Sequence, residues 1–430
     1  MEILKPGSTG PKIELLQLAL SRAGKYSGIF SGVFDEKTRR ALISFQESSG
    51  LRPDGIAGSW TQRSLFPYYT GFVAHTVRPG DTLYRLMMRY GTSLRAMETA
   101  NPGLDPTRVP IGSDVIVPLP FDVVPTSIAY TSELISLCCR GLAARYPFIR
   151  LGEMGKSVMG RPLYTLTLGT GERRVFYNAS HHANEWITTP LLLKYCEQLS
   201  KAFMLGTEVY GFDAAKLLGD VTICIAPAVD PDGIDLVTGA LTSGAYFRRA
   251  LTIASDYSEI PFPSGWKANI LGTDLNLQYP AGWDEAREIK YAQGFISPAP
   301  RDFVGSASLS AQEARAVYDF TPGFDPSLTL SYHSQGNTIY WKYLDFEPPR
   351  SREIAMALGR ASGYFVEETP YSSGFAGYKD WFIQNYNRPG YTIEVGSGQN
   401  PLPLSQFDSI YEANLGILTL AAVLAPSPVI

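Results

Sequence analysis

The chain has four histidines, and the placement of three of them constrains its fold more than any other feature. His181 and His182 follow the short apolar run Val175-Phe176-Tyr177, and His333 ends the run Leu328-Thr329-Leu330-Ser331-Tyr332-His333. Apolar runs of this length read as buried strands. Glu185 stands three residues after His182, and 148 residues (333 minus 185) separate it from His333. Side chains that far apart share a site only if the fold sets two strand ends side by side. An α/β sheet does this, and its sites gather at strand ends. Hydrolytic zinc commonly takes three protein ligands and leaves one position for water, and His₂Glu is a standard set. His182, Glu185 and His333 are the candidates for one Zn²⁺ per chain.

Further runs support this architecture from about residue 127 to 430. Residues 164–168, 174–177, 221–226, 328–332 and 391–395 read as strands, and 190–205 and 309–320 as helices. Ser310-Ala311-Gln312-Glu313 has capping-box spacing at the start of the second helix. Strands alternating with helices predict an α/β domain, a mixed sheet with helices on both faces. In Tyr391-Thr392-Ile393-Glu394-Val395, alternation sets Ile393 and Val395 opposite Glu394. This carboxylate on a buried-looking strand is a candidate general base.

Two small units precede this domain. Residues 1–67 read as a helical module, in which Pro11 suits a helix start and Ile13, Leu16 and Leu20 share an apolar face. Thr38, Ala41, Leu42 and Phe45 form a second such face. Residues 72–121 read as a βααβ unit, with His75 in its first strand and Val115-Ile116-Val117 in its last. Pro118, Pro120 and Pro125 mark a stiff linker.

A net charge of −4 argues against nucleic acid, which needs clustered Lys and Arg. No apolar run is expected to span a membrane, and no secretory signal peptide is visible in the first residues. Adjacent Cys138 and Cys139, with Cys196 and Cys224, read as buried thiols without a disulfide framework.

From about Tyr130 onward the motifs resemble, in family order, the zinc carboxypeptidase-A-like metallopeptidases. His182-Ala183-Asn184-Glu185-Trp186 resembles that family's first motif, Ser331-Tyr332-His333-Ser334 its third-ligand strand, and Thr392-Ile393-Glu394 its catalytic-glutamate strand. The resemblance implies that Glu394 is the catalytic base and that Lys267 takes the place of an oxyanion-stabilising arginine, its alternative being a surface lysine. It also implies substrate-binding roles for Tyr371 and Asn276. The family's carboxylate-reading Asn-Arg pair is here Asn276-Leu277, so ordinary exopeptidase action is in doubt. Residues 1–67 resemble a peptidoglycan-binding domain and residues 72–121 a LysM domain.

Trp266-Lys267-Ala268-Asn269, Asp274-Leu275-Asn276-Leu277 and His333-Ser334-Gln335-Gly336 further resemble the γ-D-glutamyl-L-diamino acid endopeptidase subfamily. That resemblance implies a cell-wall or spore-associated zinc hydrolase of peptidoglycan stem peptides. Arg248 and Arg249 are its candidate readers of substrate carboxylates. The alternatives are a zinc carboxypeptidase of ordinary peptides and an inactive wall-binding protein.

Overall fold

The computed structural model describes residues 2–106 and 108–427. Its contacts divide the chain into two compact units, Met1–Ala129 with Glu133–Ile149, and Tyr130–Ser132 with Arg150–Ile430.

In the first unit, α1 (Pro11–Arg22) begins on its proline, whose missing N–H costs nothing there. α2 (Glu36–Ser48) is capped by Asp35, whose side chain accepts from the Thr38 amide. With α3 (Ser59–Thr70) these helices enclose Ile13, Leu16, Phe34, Leu42, Phe45 and Leu65. β1 (Phe72–Thr76), α4 (Leu83–Tyr90), α5 (Leu94–Ala100) and β2 (Asp114–Pro118) form the βααβ unit. Its strands pair antiparallel over a core of Val77, Leu83, Leu86, Met97, Val115 and Val117. His75 stays within this unit, between Asp81 Oδ2 at 2.8 Å and the Tyr90 hydroxyl at 3.1 Å. Most of α6 (Ser132–Arg145) counts with the first unit, and Arg145 donates to the Phe121 carbonyl at 2.6 Å.

The second unit is built on an eight-stranded mixed sheet. Its strands are β3 (Arg150–Lys156), β4 (Pro162–Leu168), β5 (Arg173–Ala179), β8 (Val221–Ala226), β9 (Leu328–His333), β10 (Thr338–Tyr340), β11 (Phe365–Glu367) and β12 (Gly390–Glu394). A separate hairpin, β6 (Glu208–Val209) and β7 (Phe212–Asp213), lies outside that sheet. The order is β11-β10-β12-β9-β5-β8-β4-β3, and the centre, β12-β9-β5-β8, is parallel. Helices α7 (Thr188–Leu205), α8 (Ala214–Asp220), α9 (Pro231–Val237), α10 (Gly244–Ser255), α11 (Trp283–Ala292), α12 (Gln312–Phe324), α13 (Ser351–Ser362), α14 (Tyr378–Tyr386) and α15 (Phe407–Leu424) complete it.

Alternation along β5 explains why both faces are covered. Phe176 packs on Phe320 of α12 and Tyr378 of α14. The next residue, Tyr177, packs on Tyr195 of α7 and donates to the Leu418 carbonyl of α15. The predicted mixed α/β sheet with helices on both faces is the observed fold.

Local readings need three corrections. The sequence offered no apolar run for β3, because its residues are mostly exposed beside β4. The capping box at Ser310 does not form: α12 starts at Gln312, and Ser310 instead bonds the Gln278 side chain. On length and composition, the segment Leu404–Leu424 does reach what a membrane span needs. Half of it is buried in the fold, and it packs on α7 and α13 as a core helix. All four cysteines are buried thiols.

Candidate active site

β5 delivers the first histidine pair through a tight turn. Ser180, the residue after the strand, adopts the left-handed φ of 51° that L side chains seldom take. Its amide and hydroxyl bond Thr188, and its hydroxyl also meets Thr189, both at the start of α7. A single 3₁₀ turn, Ala183–Glu185, follows. Residues three apart eclipse in a 3₁₀ turn, so His182 and Glu185 face the same way. The adjacent parallel strand β9 brings His333 to the same edge, one register position after the Ala179–Tyr332 pairing.

His182, Glu185 and His333 are buried and their ligand atoms lie within 4.8 Å of one another. His182 Nδ1 stands 2.9 Å from Glu185 Oε1, and His333 Nδ1 stands 2.9 Å from Glu185 Oε2. The two Nδ1 atoms are 3.1 Å apart. Two ring nitrogens turned toward each other at that distance need a proton or a cation to hold them. Two zinc–nitrogen bonds of about 2.0–2.1 Å at a tetrahedral angle put their nitrogens roughly 3.3 Å apart, so the donor set fits the ion. Behind it, His182 Nε2 lies 3.0 Å from Asp274 Oδ1, the carboxylate that fixes ring orientation in metal-binding histidines.

The surrounding charges are consistent with this. Burial alone would raise the Glu185 carboxyl, but His182, Lys267 and His333 together hold it well below the carboxylate range. Burial likewise opposes ionisation of Asp274, and His182 overcomes it, keeping the acid ionised. Neighbouring His181 is pushed well below the usual imidazole range by burial, and bonds Tyr279 at 2.9 Å.

The three residues open onto a cavity of about 620 Å³. Glu394 reaches it from β12, cross-strand partner of His333, while Ile393 is fully buried behind it. Burial and the nearby Glu185 charge raise the Glu394 carboxyl to about 8. Lys267 also lines the cavity, with Nζ 3.7 Å from Glu185 Oε1. Its backbone is tied to the 3₁₀ turn, where the Ala183 amide donates to the Lys267 carbonyl at 3.1 Å. Asn269 braces that loop through Glu313, the acid read from sequence as part of a helix cap.

Asn276 lines the cavity, and its Oδ1 accepts from the Tyr378 amide at 3.0 Å. Tyr371 is 70% exposed and packs edge-on to Phe375, while Thr369 and Ser373 on either side of it line the cavity. Arg248 and Arg249 are exposed on α10 and do not line it, because that helix buries Ala250, Ile253 and Ala254 instead. The cations on the cavity wall besides Lys267 are Lys290, Arg301 and Lys379, none of which stood out in the sequence.

A sheet with a buried His₂Glu cluster, a second carboxylate and a nearby cation at its strand ends has the parts of a metallopeptidase site. Residues 135–416 match the zinc carboxypeptidase family model, and the chain belongs to that family. Residues 9–65 match a peptidoglycan binding domain and residues 75–118 a LysM domain. The chain is 41% identical over 276 residues to γ-D-glutamyl-L-diamino acid endopeptidase 1 of Lysinibacillus sphaericus, covering 64% of this chain and 68% of that one. It is 32% identical over 85 residues to the spore cortex-lytic enzyme of Bacillus subtilis (strain 168), covering 19% and 28%. Among solved structures, thrombin activatable fibrinolysis inhibitor shares the fold at a TM-score of 0.56 and 19% identity, over 70% of this chain and 75% of that one.

Proposed function

We propose that this protein is a zinc-dependent peptidoglycan hydrolase that cuts the γ-D-glutamyl–meso-diaminopimelate bond of stem peptides. The observation that carries the reading is the convergence of His182, Glu185 and His333 beside Glu394 in one cleft. Leu277 stands where the carboxylate-reading arginine is expected and offers no donor to a terminal carboxylate.

His182, Glu185 and His333 would hold the ion. A zinc ion so held polarises a carbonyl and makes water acidic near neutral pH. Glu394 takes the proton of the attacking water and passes it to the departing amine. The charge of a bound cation would favour the ionised carboxylate that accepts the first proton. Lys267 supplies a point charge for the oxygen that becomes negative as the amide carbon turns tetrahedral. Asp274 holds the His182 ring in place. The endopeptidase name carried by the Lysinibacillus relative supports the bond assignment. The two N-terminal modules support wall targeting, and with it a cell-wall or spore-associated site of action.

Mass spectrometry of digests tests this directly. The tripeptide L-Ala-γ-D-Glu-meso-diaminopimelate should yield L-Ala-D-Glu and free diaminopimelate. Faster release of a C-terminal residue from a plain α-linked peptide would instead support an ordinary carboxypeptidase.

A further inference from the structure

One loop segment, residues 300–303, is bonded to two working parts of the cleft. At one end the Pro300 carbonyl accepts from the Lys267 amide at 2.7 Å and from the Ala268 amide at 2.9 Å. At the other, the Asp302 amide donates to Asp274 Oδ2 at 3.3 Å, and the Asp274 amide donates to the Phe303 carbonyl at 2.9 Å. Asp274 Oδ1 meets His182 Nε2, so the Asp302 amide holds the second oxygen of the acid that orients that ring. Four consecutive residues thus carry backbone contacts both to the cation of the cleft and to the carboxylate behind a metal-binding histidine.

Making both contacts takes an unfavourable backbone. Asp302 has a φ of 65°, in the left-handed region where a Cβ crowds the chain and which only glycine enters freely, asparagine and aspartate less so. Such strain persists where the surroundings over-determine it. Here the Asp302 carboxylate is clasped from two sides, by Lys290 Nζ at 2.6 Å from Oδ1 and by Arg301 Nε at 2.6 Å from Oδ2. Lys290 is only 8% exposed and sits in the last turn of α11, where its charge suits the helix dipole. An ion pair so little exposed is weak evidence of stabilisation in its own right. What the clasp does provide is a fixed side chain on the one residue of the segment whose backbone is strained.

We propose that Asp302 is a positioning residue for the zinc site. Held by Lys290 and Arg301, it keeps residues 300–303 in the turn that presents its own amide to Asp274 and the Pro300 carbonyl to Lys267. Through Asp274 it steadies the His182 ring, and through Pro300 it fixes the strand of loop that carries Lys267. The inference rests on His182, Glu185 and His333 as the zinc ligands and is independent of which bond the protein cuts.

Zinc affinity, measured by chelator competition on folded protein, tests it. Asp302→Gly, Asp302→Asn, Asp302→Ala and Asp302→Val all remove the charge that faces Lys290, but only glycine and asparagine keep the left-handed turn accessible. The alanine and valine proteins should bind zinc about tenfold more weakly, the lower end of what losing an outer partner costs. The glycine and asparagine proteins should lie closer to the unaltered one. If valine prevents folding, the glycine–alanine comparison alone decides. Four affinities equal to that of the unaltered protein would overturn the inference, and four equally weakened ones would assign the effect to charge and overturn it too. In an Asp274→Ala background the further change Asp302→Ala should have little effect, because the two residues act as one unit. An undiminished tenfold loss there would overturn the route through Asp274. No substrate enters the assay, so its failure leaves the bond assignment standing.

Discussion

Zinc binding should drive a proton off Glu394, and the amount follows from the site. In the metal-free protein, burial and the charge of Glu185 raise this carboxyl from 4.5 to about 8. A group with that midpoint is roughly 90% protonated at pH 7. A divalent cation among His182, Glu185 and His333 favours the ionised form, so Glu394 should release about 0.9 proton per zinc at pH 7. Titration calorimetry in buffers of different ionisation enthalpy counts the protons released. His182 also holds its proton more tightly than usual in the metal-free site, where the Glu185 charge outweighs the effect of burial. The release lost in Glu394→Gln, measured against the unaltered protein, gives the share that Glu394 controls, its effect on His182 included. The same shift sets a sign for stability without metal. Between about pH 4.5 and 8 the folded chain holds this proton better than the unfolded chain does, so metal-free stability falls as pH rises through that window. Glu394→Gln should flatten the fall. Equal proton release by the two proteins would refute the reasoning and place Glu394 outside the ion's influence.

His333→Ala should lose both zinc and hydrolysis, whereas Glu394→Gln should keep zinc and lose hydrolysis; metal analysis beside a tripeptide assay separates them. Asp274→Asn should weaken zinc binding by about 10–100-fold, as loss of an orienting partner does elsewhere, measured by competition with a chelator. Residues 1–121, which contain both wall-binding modules, should co-sediment with purified sacculi, and the chain without them should bind sacculi poorly while still cutting soluble stem peptides.

The parts of the site that sequence made legible are those that interrupt a buried strand. His333 and Glu394 end apolar runs, and a polar residue there has to face a neighbour or a cavity. His182 and Glu185 were readable from their spacing, which a 3₁₀ turn converts into a shared direction. Asp274 was visible as part of Asp-Leu-Asn but received no role. The rule that a metal-binding histidine needs a carboxylate behind it could have supplied one. Lys379-Asp380 was harder, because two adjacent charges at a helix start read as a solvated pair. Only tertiary packing shows that both are buried. Arg248 and Arg249 show the reverse, two adjacent charges that do stay on the surface. Ser310 had the right spacing for a cap, but Gln278, which also accepts from the Ala311 amide at 2.8 Å, took that position.

The leucine at position 277 bears hardest on substrate choice, because it offers no donor to a carboxylate. Leu277 is 8% exposed and belongs to the apolar cluster that holds Leu275, Tyr279 and Phe382. The side chain therefore packs into the core while also lining the cleft. An ordinary carboxypeptidase would need a cation from elsewhere on the wall, and Arg301 is the arginine that lines it. Its Nε is 2.6 Å from Asp302 Oδ2, and Lys290 holds the other oxygen of that acid at 2.6 Å. The Asp302 amide in turn donates to Asp274 Oδ2, the carboxylate behind His182. Recruiting Arg301 to a terminal carboxylate would pull on a network that orients a metal-binding histidine.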